Sequence, residues 1–102
     1  ENEYEFKTEI QDYHINAGGV THGGYIMSML DSGMGTAAHQ LIEGSAVTIS
    51  LNTNFIGGSK AGDKIIGFAK IKKKTRSLIF MYGQLKCEDK LLASAEGIWK
   101  II

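Results

Sequence analysis

The sequence predicts an α+β fold in which one antiparallel β-sheet of about five strands wraps around one long helix. An alternating stretch comes first, and a stretch with helical periodicity follows it. The second half of the chain is a series of strand-like stretches separated by short turns. With 102 residues, no proline and no repeat, residues 1–102 are expected to form a single domain.

The first stretch, EYEFKTEI, alternates apolar or hydroxyl side chains with charged ones. Tyr4, Phe6, Thr8 and Ile10 share one face, which is the two-residue period of a strand half-buried in a sheet. We therefore predict that a strand begins the fold and turns these four side chains toward the core.

The helix is predicted from about residue 24 to residue 42. At about 100° per residue, its apolar and small side chains fall within about 140° of one another, with hydroxyl groups opposite. The stripe consists of Ile26, Met27, Leu30, Gly33, Met34, Ala37, Ala38 and Leu41. Gly44 is well placed to end the helix. Because glycine inside a helix costs about 1 kcal/mol relative to alanine, Gly33 and Gly35 indicate close approach of the helix to the sheet.

Four strands are predicted after the helix. AVTISLNTNFI, residues 46–56, alternates apolar and polar side chains. Its apolar face consists of Val47, Ile49, Leu51 and Phe55, and its polar face of Thr48, Ser50, Asn52 and Asn54. The other strands are residues 64–74, 77–87 and 91–101, and the intervening turns are short enough to favour antiparallel neighbours.

The composition excludes several classes of function. The chain has 11 Lys plus Arg and 11 Asp plus Glu, so no net charge attracts it to nucleic acid or to an anionic membrane. Cys87 is the one cysteine, so no internal disulfide forms, and a reducing, cytoplasmic location is expected. We find no apolar run long enough to span a bilayer and no signal-peptide pattern.

The stretch NAGGVTHGGYIMSMLD places four glycines before the helix. One interpretation is a sharp turn that needs glycine's conformational freedom. The other is chemical: a helix that begins near Gly23 or Gly24 presents unpaired N–H groups at the positive end of its dipole. With no side chain in the way, an acyl carbonyl could approach these groups as in an oxyanion site.

Asp31 lies about 20° beyond Ala38, at the border of the apolar stripe. Most carboxylates on helices are simply solvated. A carboxylate at such a border could instead line a cleft and activate water or attack an acyl carbon.

Gly23 and Asp31 are about 12 Å apart along the helix, whereas an oxyanion donor and a nucleophile must meet within about 3 Å of one reacting group. One copy of the helix cannot bring both to the same carbonyl. If both act, they come from two subunits, which predicts a symmetric dimer with two equivalent sites.

Two stretches of the sequence resemble the PaaI-like group of hotdog-fold acyl-CoA thioesterases, in the same order along the chain. They are HINAGGVTHGGYIMSMLDSGMGTAA and AVTISLNTNFIGGSKAGD. In that family a short glycine loop leads from an Asn to a His-Gly-Gly triplet. A helix with an acidic residue follows, and then a strand that opens with Val-Thr and runs to Asn-Phe. The family fold is an antiparallel sheet around a long helix, in agreement with the periodicity.

The resemblance implies a role for each matching residue. Asp31 would be the catalytic carboxylate, acting as general base or nucleophile, and the N–H of Gly23 would polarise the thioester carbonyl. Asn16 would help to position the water or the thioester, and Thr48 would hold the water. His22 would fix the loop by hydrogen bonding, because a polar group there needs a partner.

The basic stretch KIKKKTRS has two interpretations. Charge runs are usually solvated turns. Alternatively, it forms a rim for the phosphates of coenzyme A, since lysine supplies point charge and arginine a forked donor. With His22 and Gly24, the residues expected to contact substrate are Lys74, Thr75, Arg76 and Ser77.

The resemblance therefore implies hydrolysis of an acyl-CoA thioester to a free acid and coenzyme A, by a homodimer or a dimer of dimers. No cofactor is expected beyond the coenzyme A of the substrate, and no metal, because His14, His22 and His39 do not form a recognisable ligand cluster. One alternative is a hotdog hydratase or dehydratase that uses His22 with Asp31, although its usual histidine motif is absent. The other is a non-catalytic acyl-CoA binder, against which Asp31 counts. The sequence does not predict whether the acyl chain of the substrate is short, long or aromatic.

Overall fold

The computed structural model describes residues 3–11, 19, 21–42 and 44–102, with Leu41 as backbone only. Along the chain these form β1 (Glu3–Glu9), α1 (Gly23–Leu41), β2 (Ala46–Phe55), β3 (Lys64–Lys74), β4 (Leu78–Cys87) and β5 (Lys90–Ile101). The helix bounds agree with the sequence prediction to within one residue. In the part of the chain so described, no helix is both long and apolar enough to cross a membrane.

The five strands form one sheet in the order β1-β3-β4-β5-β2, and every neighbouring pair is antiparallel. β3, β4 and β5 follow one another as hairpins, which places β1 and β2 at the two edges. The helix joins these edge strands in sequence and packs against all five strands. The predicted α+β architecture, with a sheet around one helix, is confirmed.

The core lies between α1 and the sheet. From the helix it contains the fully buried Leu30, Met34, Ala37 and Ala38, and from the sheet Ile65, Ala69, Ile79, Met81, Leu85, Ala93, Ala95 and Trp99. Six members of the predicted helical stripe are confirmed as buried, namely Ile26, Leu30, Gly33, Met34, Ala37 and Ala38, while the Leu41 side chain lies outside the described residues. Met27 is 41% exposed, and Met29 is buried in its place. Met27 lies toward β2, an edge strand of the sheet, and no strand of the described ranges lies beyond β2 to cover it.

The alternation predicted for β1 is confirmed. Tyr4, Phe6 and Thr8 are half-buried, and Ile10 beyond the strand is buried. The ring of Phe6 lies between Gly33 of α1 and Gly67 of β3, where a Cβ on either glycine would overlap the ring. These glycines therefore set the distance between helix and sheet.

Replacing Gly33 with Ala is expected to destabilise the protein. Overpacking costs about 1–3 kcal/mol, against a gain of about 1 kcal/mol in helix propensity, so we expect a net loss of up to about 2 kcal/mol. Gly35→Ala is the matched control, because a Cβ there would meet the Trp99 indole nitrogen at an ordinary 3.5 Å. Urea unfolding at one protein concentration should show Gly33→Ala destabilising and Gly35→Ala neutral or stabilising. Equal effects of the two changes would contradict the packing described for Phe6.

The predicted faces of β2 are wrong over its first half. Register with β5 pairs Thr48 with Trp99 and Ser50 with Ile98, so Ile49 is an extra, bulged residue. Directly paired residues share a face, and Trp99 packs beneath the helix. The bulge therefore turns Thr48 toward the helix, while Val47 and Ile49 remain 44% and 54% exposed. Leu51 follows the bulge in the predicted phase and is half-buried against the core.

Candidate active site

A hydroxyl and a carboxylate meet where the middle of α1 passes the start of β2. Thr48 Oγ1 donates a hydrogen bond to Asp31 Oδ1 at 2.8 Å. Asp31 is half-buried, as expected of a residue at the border of the apolar stripe. The bond exists because the bulge at Ile49 turns the Thr48 side chain toward the helix. Bulges commonly re-aim a side chain beside an active site in this way.

The pair opens onto a concavity of about 230 Å³ lined by Met27, Ser28, Asp31, Thr48 and Leu51. Its walls are partly apolar, and Asp31 and Thr48 supply its polar groups together with Ser28. A larger concavity of about 420 Å³ lies between α1 and β1. We place the candidate site at the smaller one, since the larger has no carboxylate in its lining.

The first turn of α1 presents free backbone donors. His22 is the N-cap, and its carbonyl accepts from the N–H groups of Tyr25 and Ile26 at 3.1 and 3.2 Å. The N–H of Gly23 lies ahead of these and makes no hydrogen bond with any described residue. Gly23 and Gly24 are both exposed. This end of the helix can therefore receive an acceptor atom from a ligand.

Buried hydrogen bonds fix the chain just before these donors. The N–H and the hydroxyl of Thr21 both donate to the carbonyl of Ser59, at 2.9 and 3.1 Å. The Ser59 hydroxyl donates to Thr21 Oγ1 at 2.6 Å. Sequence reasoning missed this clamp, because the two residues are 38 positions apart and no local pattern joins them. It holds the backbone two residues before Gly23.

Asp31 and Gly23 lie at opposite ends of β2. Asp31 is bound to Thr48 near the start of the strand. At its end, the ring of Phe55 lies over Gly23, 3.4 Å from where a Cβ would be. The Phe55 side chain is 55% exposed, so it also covers the first turn of α1 from one side. Within one chain, the carboxylate and the free N–H are therefore two separate half-sites.

The roles predicted for two residues of the loop, Asn16 and His22, stay predictions. Asn16 lies outside the described residues. The ring of His22 is exposed and makes no capping bond, and none to the rest of the described chain, so its role in fixing the loop stays a prediction.

The basic hairpin between β3 and β4 lies at the Asp31 end of the sheet. Ile101 N–H donates to the carbonyl of Ser77 at 2.8 Å, and Ile101 pairs with Ala46 at the start of β2. Lys74, Arg76 and Ser77 are exposed, whereas the Thr75 hydroxyl accepts from Leu78 N–H at 3.0 Å and closes the turn. Lys72 instead pairs with Glu96 on the outer face of the sheet, at 3.3 Å.

Across the described ranges, no group of three or more His, Cys, Asp or Glu side chains is arranged to hold a metal ion. His14 lies outside these ranges.

Comparison with known proteins identifies the family of the chain. The family model described as the thioesterase superfamily matches residues 18–94. A candidate esterase of Pseudomonas aeruginosa is 30% identical over 94 residues, which is 90% of this chain and 70% of that protein. The fold of this chain matches that of a candidate thioesterase of Ralstonia eutropha, which is described as related to phenylacetic acid degradation. The TM-score is 0.93 and the sequence identity is 25%, and the match covers 98% of this chain and 76% of that one. The protein smu.793 of Streptococcus mutans, solved with acetyl-CoA bound, has the same fold, with TM-score 0.92 and 22% identity over 99% and 82% of the two chains.

The antiparallel sheet around one helix is the architecture of the hotdog-fold thioesterases to which the chain is similar. The chain belongs to the thioesterase superfamily.

Proposed function

We propose that the protein hydrolyses acyl-CoA thioesters to a free carboxylic acid and coenzyme A. The observation that carries the proposal is the Asp31–Thr48 pair, a carboxylate and a hydroxyl 2.8 Å apart at an open, partly apolar concavity. Membership of the thioesterase superfamily and the acetyl-CoA bound to the S. mutans protein of like fold support the substrate class.

Asp31 acts as a general base or as a nucleophile. As a base, it removes a proton from water, and the water oxygen attacks the thioester carbon. The carbonyl oxygen becomes negatively charged and accepts a hydrogen bond from a backbone N–H. Collapse of this intermediate breaks the C–S bond, and the thiolate of coenzyme A takes up the proton held by Asp31. As a nucleophile, Asp31 attacks the thioester carbon and expels the thiolate of coenzyme A, which forms an acyl anhydride. Water then cleaves the anhydride to the free acid and the Asp31 carboxylate, and the thiolate takes up the proton that is released. Thr48 holds the carboxylate, or the water, in place.

The N–H that stabilises the oxyanion is that of Gly23 in a second copy. In each chain Asp31 lies beside the start of β2 and Gly23 lies beside its end, and about 12 Å of helix separates them. Two copies that pair antiparallel through this strand place the start of one β2 beside the end of the other. A two-fold axis near Leu51 thus brings each Gly23 to the second copy's Asp31.

The surface of β2 fits such a dimer. The strand is an edge of the sheet, so among the described residues the backbone groups on its outer side have no partner strand. Large apolar side chains are exposed on or beside it, namely Met27, Val47, Ile49, Phe55 and Ile56. An unprotected apolar edge of this kind is typical of an interface between subunits.

Ile49→Lys is expected to convert the dimer to monomer, because it places two charges close together at the interface. Ile66→Lys is the matched control, since Ile66 is similarly exposed but lies on β3. Sedimentation or light scattering should give twice the mass of one chain for wild type and for Ile66→Lys, and a single-chain mass for Ile49→Lys. A wild-type protein that is monomeric at micromolar concentration would contradict the dimer.

The exposed Lys74, Arg76 and Ser77 lie at the Asp31 end of the same sheet, where they could meet the phosphates of coenzyme A. Thr75 is less suited to contact substrate, because its hydroxyl already closes the hairpin turn.

A thiol-release assay over short, long and aromatic acyl-CoAs tests the function. We expect release of free thiol with a preference among chain lengths. Loss of enoyl-CoA absorbance without thiol release would instead indicate a hydratase. Tight acyl-CoA binding with no turnover across the panel would indicate a binding protein.

A further inference from the structure

We propose that His39 is a positioning residue that holds Thr48 in place for Asp31, acting through the first residue of β2. The expected effect of His39 on kcat rests on the proposed function, whereas the hydrogen bonds of His39 do not. His39 lies in the last turn of α1, two turns beyond Asp31.

The imidazole of His39 bridges the helix and the strand. Its Nδ1 lies 2.9 Å from the carbonyl oxygen of Gly35, and its Nε2 lies 3.2 Å from the backbone nitrogen of Ala46. A carbonyl only accepts and a backbone N–H only donates, so the proton is on Nδ1 and Nε2 is bare. The geometry therefore requires a neutral ring in a single tautomer.

Within the described part of the chain, the N–H of Ala46 faces no neighbouring strand. The neighbouring carbonyl of Ser45 accepts from Ile102 N–H at 2.9 Å, which directs Ser45 toward the end of β5. Successive residues of a strand direct their backbone groups to opposite sides, so Ala46 N–H faces away from β5. Ala46 is also 93% buried, since only 7% of it is exposed, and an unpaired N–H there would be costly. His39 supplies the acceptor.

Two hydrogen bonds thus join the same helix to the same short piece of strand. His39 binds Ala46, and two residues further on Thr48 binds Asp31. On its other side the start of β2 is bound to β5 through the carbonyl of Ser45, and the His39 bond ties it to α1. Without the His39 bond, the start of the strand can shift, and with it the Thr48 hydroxyl.

Two substitutions separate the effect of the His39 hydrogen bonds from the effect of the side-chain volume. His39→Leu removes both hydrogen bonds. His39→Gln keeps a side-chain amide that can donate to Gly35 and accept from Ala46. Because small misplacements of reacting groups have large effects, we expect His39→Leu to lower kcat for thiol release by about tenfold with little change in KM. His39→Gln should retain most of the wild-type kcat.

The Thr48→Val background shows whether His39 acts through Thr48. If it does, His39→Leu lowers kcat in the wild-type chain but has almost no further effect beside Thr48→Val. An equal loss in both backgrounds, no loss in His39→Leu, or a loss in His39→Gln as large as in His39→Leu would each overturn the proposal.

If the wild-type protein releases no thiol, that result refutes the proposed function alone. The His39 bridge can then still be tested by nuclear magnetic resonance. The imidazole nitrogen shifts should show a bare Nε2, and the Ala46 amide should exchange slowly in wild type and in His39→Gln but rapidly in His39→Leu. His39→Leu should also shift the Asp31 carboxyl carbon and the Thr48 methyl group. Unchanged signals from Asp31 and Thr48 would overturn the positioning role.

Discussion

Replacing Asp31 with Asn is expected to lower kcat for thiol release by at least about 10²-fold, the low end for loss of a general base. The amide is close to the carboxylate in shape and keeps an oxygen that can accept from the Thr48 hydroxyl. It cannot take a proton from water and is a poor nucleophile. The loss should therefore fall on kcat, with binding of coenzyme A little changed.

Asp63→Asn is the matched control for the Asp31 variant. Asp63 accepts from the N–H of Lys60 at 2.9 Å in a turn remote from the Asp31–Thr48 pair. The same chemical change there should leave kcat within about twofold of wild type, as is usual for a surface substitution. A fully active Asp31→Asn enzyme would show that another group performs the chemistry.

Replacing Gly23 with Pro is expected to lower kcat by about 10²–10³-fold, the usual cost of losing one oxyanion donor. Proline removes the N–H of Gly23 and adds a ring whose Cβ would lie 3.4 Å from the Phe55 ring. Gly23 is the first residue of α1, where proline is favoured in helices. His22 before it has φ −57° and ψ 133°, a conformation that a following proline accepts. The substitution therefore fits the fold.

Gly23→Ala isolates the contribution of the N–H. It introduces the same Cβ, at an ordinary 3.4 Å from the Phe55 ring, but retains the donor. We expect Gly23→Ala to keep much more activity than Gly23→Pro, with both variants folded by circular dichroism. Equal activity of the two variants would exclude this N–H as the oxyanion donor.

Mixing the two inactive variants tests whether the half-sites come from different chains. In a heterodimer of D31N with G23P, one site combines an intact Gly23 with an intact Asp31, and the other site has neither. After co-refolding, random pairing should restore about a quarter of wild-type activity. A mixture that stays inactive would contradict a site shared between subunits.

Much of the fold could be predicted from the sequence because its signals are local. The alternation of β1 and the apolar stripe of α1 each arise within one element, and both are found in the structure. The prediction for the first half of β2 is wrong because the bulge depends on pairing with β5. The alternation of apolar and polar residues in β2 continues unbroken through the bulge, so the sequence does not reveal it. Met27 was placed in the core because periodicity does not reveal where a sheet ends.

In the candidate site too, the local features could be predicted and the contacts between distant residues could not. Asp31 at the border of the stripe and the free N–H of Gly23 at the helix start follow from helical geometry alone. The contact between Asp31 and Thr48 does not, since the residues are 17 positions apart and only the family resemblance placed them together. The Thr21–Ser59 clamp and the His39 bridge were missed for the same reason.

The bulge in β2 links two properties of the protein, the polarity of the cleft and the composition of the free edge. In a regular strand, Ile49 would lie opposite Trp99 and face Asp31, while Thr48 would point away. The one additional residue brings a hydroxyl inward and sends an isoleucine outward to the free edge. An insertion or deletion at this point would thus alter the chemistry of the cleft and the self-association of the chain in one mutational step.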